Sequence, residues 1–119
     1  MRIRKNVSAS NSGEIEQLAK TADALAHPVR VKIFRYILAC NSERKPVRNK
    51  DVVAAFPFAQ ATISQHMNKL IIGGLVEARP EGASVYYYAN IGMIGRHIQQ
   101  LRTFDPEASD IASLHRNLP

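Results

Sequence analysis

Three features of the sequence predict a mainly α-helical domain that carries one small β-hairpin. Apolar residues Ile63, Met67, Leu70 and Ile71 recur at helical spacing. Gly73-Gly74 then stops that helix, because a helix ends most comfortably on a residue free to take left-handed angles. Two β-prone runs follow, Leu75 to Arg79 and Val85 to Ala89, joined by Pro80-Glu81-Gly82-Ala83, whose proline and glycine suit a hairpin loop. A polar helix, a glycine stop and a hairpin in that order make the winged helix-turn-helix layout, which lays one helix in a DNA major groove.

The remaining elements follow from periodicity and punctuation. Residues 1–13 are basic and rich in Ser and Asn, with too little apolar content to pack, so a mobile arm is expected there. The domain proper is expected over residues 14–104. Its first helix, about Glu14 to Ala26, puts Ile15, Leu18, Ala22 and Leu25 on one face. Pro28 suits the first turn of a second helix, where its missing N–H would be unpaired anyway. That helix runs to about Ala39 and buries Val29, Ile33, Phe34 and Ile37, leaving Arg30, Lys32 and Arg35 for water or phosphate. Asn41 to Lys45 reads as a polar loop. A short third helix from Arg48 to Phe56 offers Val52, Val53 and Phe56 to the core, and Pro57 ends it by pushing Phe56 out of helical angles. After the hairpin, a fifth helix from Ile91 to Phe104 carries Ile91, Ile94, Ile98 and Leu101. Asp105-Pro106-Glu107 has the cap, proline and acid of another helix start, opening a short helical tail over residues 105–119 with Ile111 and Leu114. Five to six helices are thus expected, with no internal repeat and no second domain.

Bulk properties narrow the function classes. A chain of 119 residues has room for one compact domain with a modest core. No apolar run approaches the ~20 residues that span a bilayer, and the N-terminus lacks the apolar stretch of a secretory signal. The single cysteine, Cys40, cannot close an intramolecular disulfide, so a reducing cytoplasm is the expected location. A net charge of +6 favours a polyanionic partner. An enzyme is not expected: there is no glycine-rich phosphate loop, nucleophile elbow or metal constellation.

The polar face of the fourth helix carries the chemistry of DNA reading. With Ile63, Met67 and Leu70 inward, a step of about 100° per residue sets Ala61, Gln65 and Lys69 near the outward centre. Thr62 and Asn68 flank them, Ser64 and His66 lie at the margins, and Gln60 stands at the leading turn. Gln and Asn can pair bidentately with adenine, Ser and Thr donate or accept, and Ala can meet a thymine methyl. Lys69, Arg79 and Arg30 are the expected phosphate contacts, and no carboxylate occurs between Ala59 and Val76 to repel a phosphate backbone.

These pieces resemble the ArsR/SmtB family of winged-helix repressors. LAHPVRVKIFRYI, Leu25 to Ile37, is similar to the family's second-helix signature at Pro28, Arg30 and Ile33. ATISQHMNKLIIGGLVEARPEG, Ala61 to Gly82, resembles its recognition helix and wing at Thr62, Ser64, His66, Leu70, Gly74, Leu75 and Val76. VYYYAN matches the returning wing strand, and the resemblance spans about residues 15 to 104. It implies a homodimeric repressor on double-stranded DNA with an imperfect palindromic operator, the first and fifth helices pairing the subunits. Ile15, Leu18, Leu25, Ile91, Ile94, Ile98 and Leu101 form suitable stripes for that pairing.

The departures from the family pattern are specific. Ala59 stands where a capping Ser is usual, a loss of about 1 kcal/mol. Phe56-Pro57-Phe58 replaces a glycine turn, and Ala83 replaces a basic wing tip, leaving Arg79 as the wing cation. The soft-metal site of the family needs a Cys-x-Cys pair in the third helix, and RNKDVVAAF has no cysteine. On the fifth helix His97 lacks its second histidine, and Asp110 and His115 are the other ligand types nearby, so no metal and no cofactor are expected and the inducer is left unassigned. Cys40 reads as a packed thiol, with a redox role as the alternative given Arg44 and Lys45 beside it. The rival readings are a winged helix used for protein–protein contact and a winged-helix DNA binder of another family.

Overall fold

The computed structural model describes residues 2–107, with side chains from Ser12 onward. It consists of α1 (Arg2–Ala24), α2 (Pro28–Ser42), α3 (Asn49–Ala55), α4 (Gln60–Ile72), β1 (Val76–Glu81), β2 (Ser84–Ala89) and α5 (Ile91–Arg102). Mainly helical with one antiparallel hairpin, this is the winged helix-turn-helix expected from the sequence.

Helix α4 is the hub, touching α1, α2, α3 and β1. It buries Ile63, Met67 and Leu70 against Ile33, Phe34 and Ile37 of α2, Val52 of α3, and Leu75 and Val76 at the wing root. Its N-terminus has no side-chain cap at Ala59, while α5 is capped by Asn90, whose side chain accepts from Met93 N–H at 3.2 Å. Arg48 N–H donates to Asp51 Oδ2 at 2.8 Å at the start of α3. Phe56 leaves the helix at φ −130 and ψ 143, the extended conformation that a following proline imposes.

The end of α4 is a Schellman turn. Leu75 N–H reaches back to the Leu70 carbonyl at 3.0 Å and Gly74 N–H to that of Ile71 at 2.9 Å, with Gly74 at φ 76. Gly73 itself is right-handed, at φ −73. Its glycine is required for a different reason: α1 crosses directly over it. Thr21 Oγ1 donates to the Gly73 carbonyl at 2.7 Å, and Gln17 Nε2 donates to the same oxygen at 3.1 Å.

The hairpin is tighter than the sequence predicts. Pairing continues through Pro80 opposite Val85 and Glu81 opposite Ser84, leaving the two-residue loop Gly82-Ala83. Within this loop positive φ occurs at Gly82 and not at Ala83, the II′ pattern that matches the strand twist. Pro80 is tolerated because a two-stranded sheet leaves each strand an open edge. Asn41, expected in a loop, lies in the last turn of α2 and anchors the returning strand: its Oδ1 accepts from Ala89 N–H at 2.8 Å.

Boundaries also differ from expectation in the first and fifth helices. Helix α1 begins at Arg2 rather than near Glu14 and so runs through the stretch read as an arm; no proline interrupts residues 2–24, and polar composition alone does not break a helix. Helix α5 ends at Arg102 rather than Phe104. The Asx turn at the expected tail is present, Glu107 N–H donating to Asp105 Oδ1 at 3.0 Å; Asp110, Ile111, Leu114 and His115 lie outside the described residues.

Crowding at the helix stop is testable. A Cβ on Gly73 would stand 2.6 Å from Ala24 Cβ and 2.9 Å from the Lys20 carbonyl oxygen. Gly73→Ala should therefore lower the unfolding free energy by about 1–3 kcal/mol. Gly82→Ala meets nothing within 4 Å and should lose only about 1 kcal/mol for its left-handed backbone. Urea titration of both variants compares them, and equal losses would contradict the close approach of α1.

Candidate nucleic-acid interface

The outward face of α4 is built by the same periodicity that buries its other side. Gln60, Ala61, Ser64, Gln65, Asn68 and Lys69 are exposed, and Thr62 and His66 are half-buried at the flanks. Arg30, Gln65, His66, Asn68 and Lys69 line one shallow groove, bringing the α2 cation to the recognition face.

Electrostatics on this face are more constrained than the sequence suggests. Arg30 is tied to two other helices by three contacts: Nε donates to the Ala24 carbonyl at 3.0 Å, Nη2 to the Asp23 carbonyl at 2.9 Å, and Nη1 approaches His66 Nδ1 at 3.3 Å. It caps the C-terminal end of α1 while bracing α4. Lys69 Nζ pairs with Asp23 Oδ2 at 3.0 Å, and this lysine holds the Asp23 carboxyl below its ordinary range, chiefly through the hydrogen bond. On the wing, Arg79 Nε donates to Glu77 Oε1 at 2.7 Å, and its guanidinium lies 4.3 Å from the centre of the Tyr88 ring. These ion pairs are exposed, so a phosphate can compete for either cation at little cost.

His66 sits against His27 with ring centres 4.7 Å apart. Burial, then the neighbouring charges of His27 and Arg30, depress its pKa below the ordinary 6.5. The neutral ring suits the Arg30 contact, since Nδ1 can then accept from the guanidinium.

No protein-family model matches the chain, and no curated protein matches it. Solved structures do. An ArsR-like transcriptional regulator from Rhodococcus sp. RHA1 superimposes with a TM-score of 0.69 at 21% identity, over 87% of this chain and 93% of that one. A possible transcriptional regulatory protein from Mycobacterium bovis, as a fragment, gives 0.61 at 26% identity over 80% of this chain and 98% of that one. A solution structure of a homodimeric winged helix-turn-helix DNA-binding domain from Mycobacterium bovis, a possible ArsR-family regulator, gives 0.60 at 24% identity over 80% and 84%. The chain has the winged helix-turn-helix fold of ArsR-family regulators. The first of these is described as a transcriptional regulator and the other two as possible ones.

Within this winged helix, the residues singled out from the sequence fall in two places. Gln60, Ala61, Thr62, Ser64, Gln65, His66, Asn68, Lys69 and Arg30 share the α4 face, while Arg79 stands apart on β1. Two further residues belong to the face. Lys50 of α3 lines a hollow with Gln60 at the start of α4, in the helix that crosses the backbone in helix-turn-helix proteins. Asp23 brings a carboxylate to Lys69 from 46 positions away, which no local pattern could reveal. Cys40 is half-buried and packed against the core. Among the described residues, no three His, Cys, Asp or Glu side chains converge, and no helix is long and apolar enough to cross a membrane.

The depressed pKa of His66 gives a pH dependence with a definite sign. The unfolded chain takes up the proton first, so the contribution to stability is complete above pH 6.5, the ordinary value, and is lost as pH falls toward the lower folded value. His66→Gln, a neutral isostere, should flatten this part of the profile. Thermal unfolding of both proteins from acid to neutral pH measures it; parallel profiles would show that His66 is not held neutral.

Proposed function

We propose that the protein is a sequence-specific DNA-binding transcriptional regulator of the ArsR type, a homodimeric repressor that reads an imperfect palindrome in the cytoplasm. The observation that carries this reading is the exposed face of α4. It is polar apart from the small Ala61, bears a cation and contributes no acid. The net charge of +6 supports it, as do the regulators that share the fold, one of them described as homodimeric and DNA-binding. In this reading Gln65, Thr62 and Ser64 meet base edges, with Gln60, Ala61, His66 and Asn68 beside them. Lys69, Arg79, Arg30 and Lys50 hold phosphates, and in doing so Lys69 and Arg79 exchange Asp23 and Glu77 for the DNA backbone. The third helix lacks the cysteine pair of the metal sensors, so the reading includes no metal inducer.

Dimerisation is read from the terminal helices. Ile15 is 60% exposed, Ile91 69%, Ile98 50% and Leu101 44%, an apolar surface that α1 and α5 present together. Leu18 is half-buried beside it, while Leu25 and Ile94 lean onto the core. Sedimentation should find a dimer at tens of micromolar, and Ile15→Asp with Ile98→Asp should convert it to a folded monomer. A wild-type monomer, or a dimer indifferent to both changes, would rule this surface out.

A two-fold dimer sets its recognition helices in successive major grooves about 34 Å apart. Base-reading and phosphate-holding residues should then fail differently. Gln65→Ala should lose about 1–3 kcal/mol of discrimination at one base pair in each half-site. Lys69→Ala should weaken all sequences alike and flatten the salt dependence by about one log–log unit. Affinities for selected operator and scrambled duplex over a salt series read both effects. An unchanged specificity ratio in Gln65→Ala would remove the base-reading role. Wild-type protein that binds neither duplex at low salt would favour a winged helix devoted to protein contacts.

A further inference from the structure

The face of α5 that turns toward α1 is not apolar like its outer face. Met93, His97 and Gln100 recur at helical spacing and meet Glu14, Gln17, Leu18 and Thr21 of α1 across a cleft of about 240 Å³. That volume lies below the roughly 300 Å³ at which sites for drug-sized ligands begin. The polar groups of the cleft divide into satisfied and unsatisfied. Gln100 Nε2 donates to Glu14 Oε2 at 3.3 Å, an exposed contact that holds the Glu14 carboxylate at the rim while leaving its charge to water. Gln17 and Thr21 are committed to each other and to the Gly73 carbonyl. His97 Nδ1 is buried with no hydrogen-bond partner among the described residues. Arg96 lines the same cleft with an exposed side chain and makes no salt bridge among those residues. A buried polar nitrogen without a partner is costly to keep, and a cation beside it selects the sign of what could satisfy it.

We propose that this cleft between α1 and α5 binds a small carboxylic acid with an apolar body, and that its occupancy is felt by the recognition helix. The carboxylate accepts from the Arg96 guanidinium and, once the His97 ring turns its buried Nδ1–H into the cleft, from that nitrogen, both charge-assisted hydrogen bonds. The hydrocarbon or aryl body rests on Leu18 and Met93, the apolar side chains of the lining. Two walls of the cleft touch the end of α4. Gln17 holds the Gly73 carbonyl, and the Met93 methyl lies so close to Gly74 that a Cβ there would stand 2.8 Å from it. A ligand that shifts Gln17 or Met93 therefore acts on the turn that sets the direction of α4. The regulatory meaning of the site rests on the DNA-binding reading above; the site itself does not.

Titration of the isotope-labelled full chain with hexanoate and phenylacetate tests this, with hexanamide as the uncharged control. At least one carboxylate should produce saturable NMR shifts at the Met93 methyl and the His97 ring, with parallel shifts at the Gly73 and Gly74 amides. Arg96→Gln, at an exposed position, should weaken binding by about tenfold or more, and Arg96→Lys should retain part of it. Hexanamide should bind as weakly as the carboxylate does to Arg96→Gln. Absence of saturation with either acid, or equal binding of hexanoate and hexanamide, would overturn the site. Silent Gly73 and Gly74 amides in the bound state would overturn the link to α4. Duplex binding is measured in the same samples: saturable carboxylate binding by a protein that binds no DNA would support the site while refuting the regulator reading.

Discussion

The carbonyl oxygen of Gly73 receives two hydrogen bonds from α1, one from Thr21 and one from Gln17. This contact fixes how the first helix lies across the end of the recognition helix. Thr21 is 1% exposed, so its hydroxyl is removed from water and depends on that acceptor. The helix seated there buries Ala24 against the core and brings the Asp23 and Ala24 carbonyls to Arg30. It also carries the Asp23 carboxylate to Lys69 and forms one wall of the cleft facing α5. Only a residue without a side chain lets the two helices approach this closely, which is why the stop has two glycines with two different duties. Gly74 supplies the left-handed angle, and Gly73 supplies the space.

The same arrangement divides labour on the candidate DNA face. Each of its prominent cations has an intramolecular partner in the free protein: Arg30 the end of α1, Lys69 Asp23, and Arg79 Glu77. They differ in how tightly they are held. Arg30 makes contacts to two carbonyls and an imidazole and is half-buried, so it braces α4 against α1 as well as facing the groove. Lys69 and Arg79 sit in exposed pairs of the kind that contribute little to stability. The uncharged exposed side chains, Gln65 above all, have no such competing partner among the hydrogen bonds of the described residues.

Much of this was legible in the sequence because it is local. The apolar spacing of α4 and α2, the Pro28 start, the extended Phe56 before Pro57 and the glycine stop all act within a few residues, and each appears where it is expected. The hairpin was legible as an element but not in its register, since Pro80 and Glu81 could equally have formed the loop; pairing to Ser84 settled it. Polar composition at residues 1–13 argued against a helix, yet nothing there forbids one, and α1 begins at Arg2.

What the sequence by itself determined, then, is the identity and order of the elements and which face of each is apolar, because side-chain periodicity and backbone stereochemistry are properties of neighbouring residues. The tertiary structure decided what those faces meet. It placed Asp23 beside Lys69, Asn41 beside the returning wing strand, and His97 in a cleft opposite Gln17. Those pairings span separations of 46, 48 and 80 positions. Nothing local encodes such contacts: they exist because burying the shared core brings the helices together, and the polar groups carried along must then find partners or remain, like His97 Nδ1, without one.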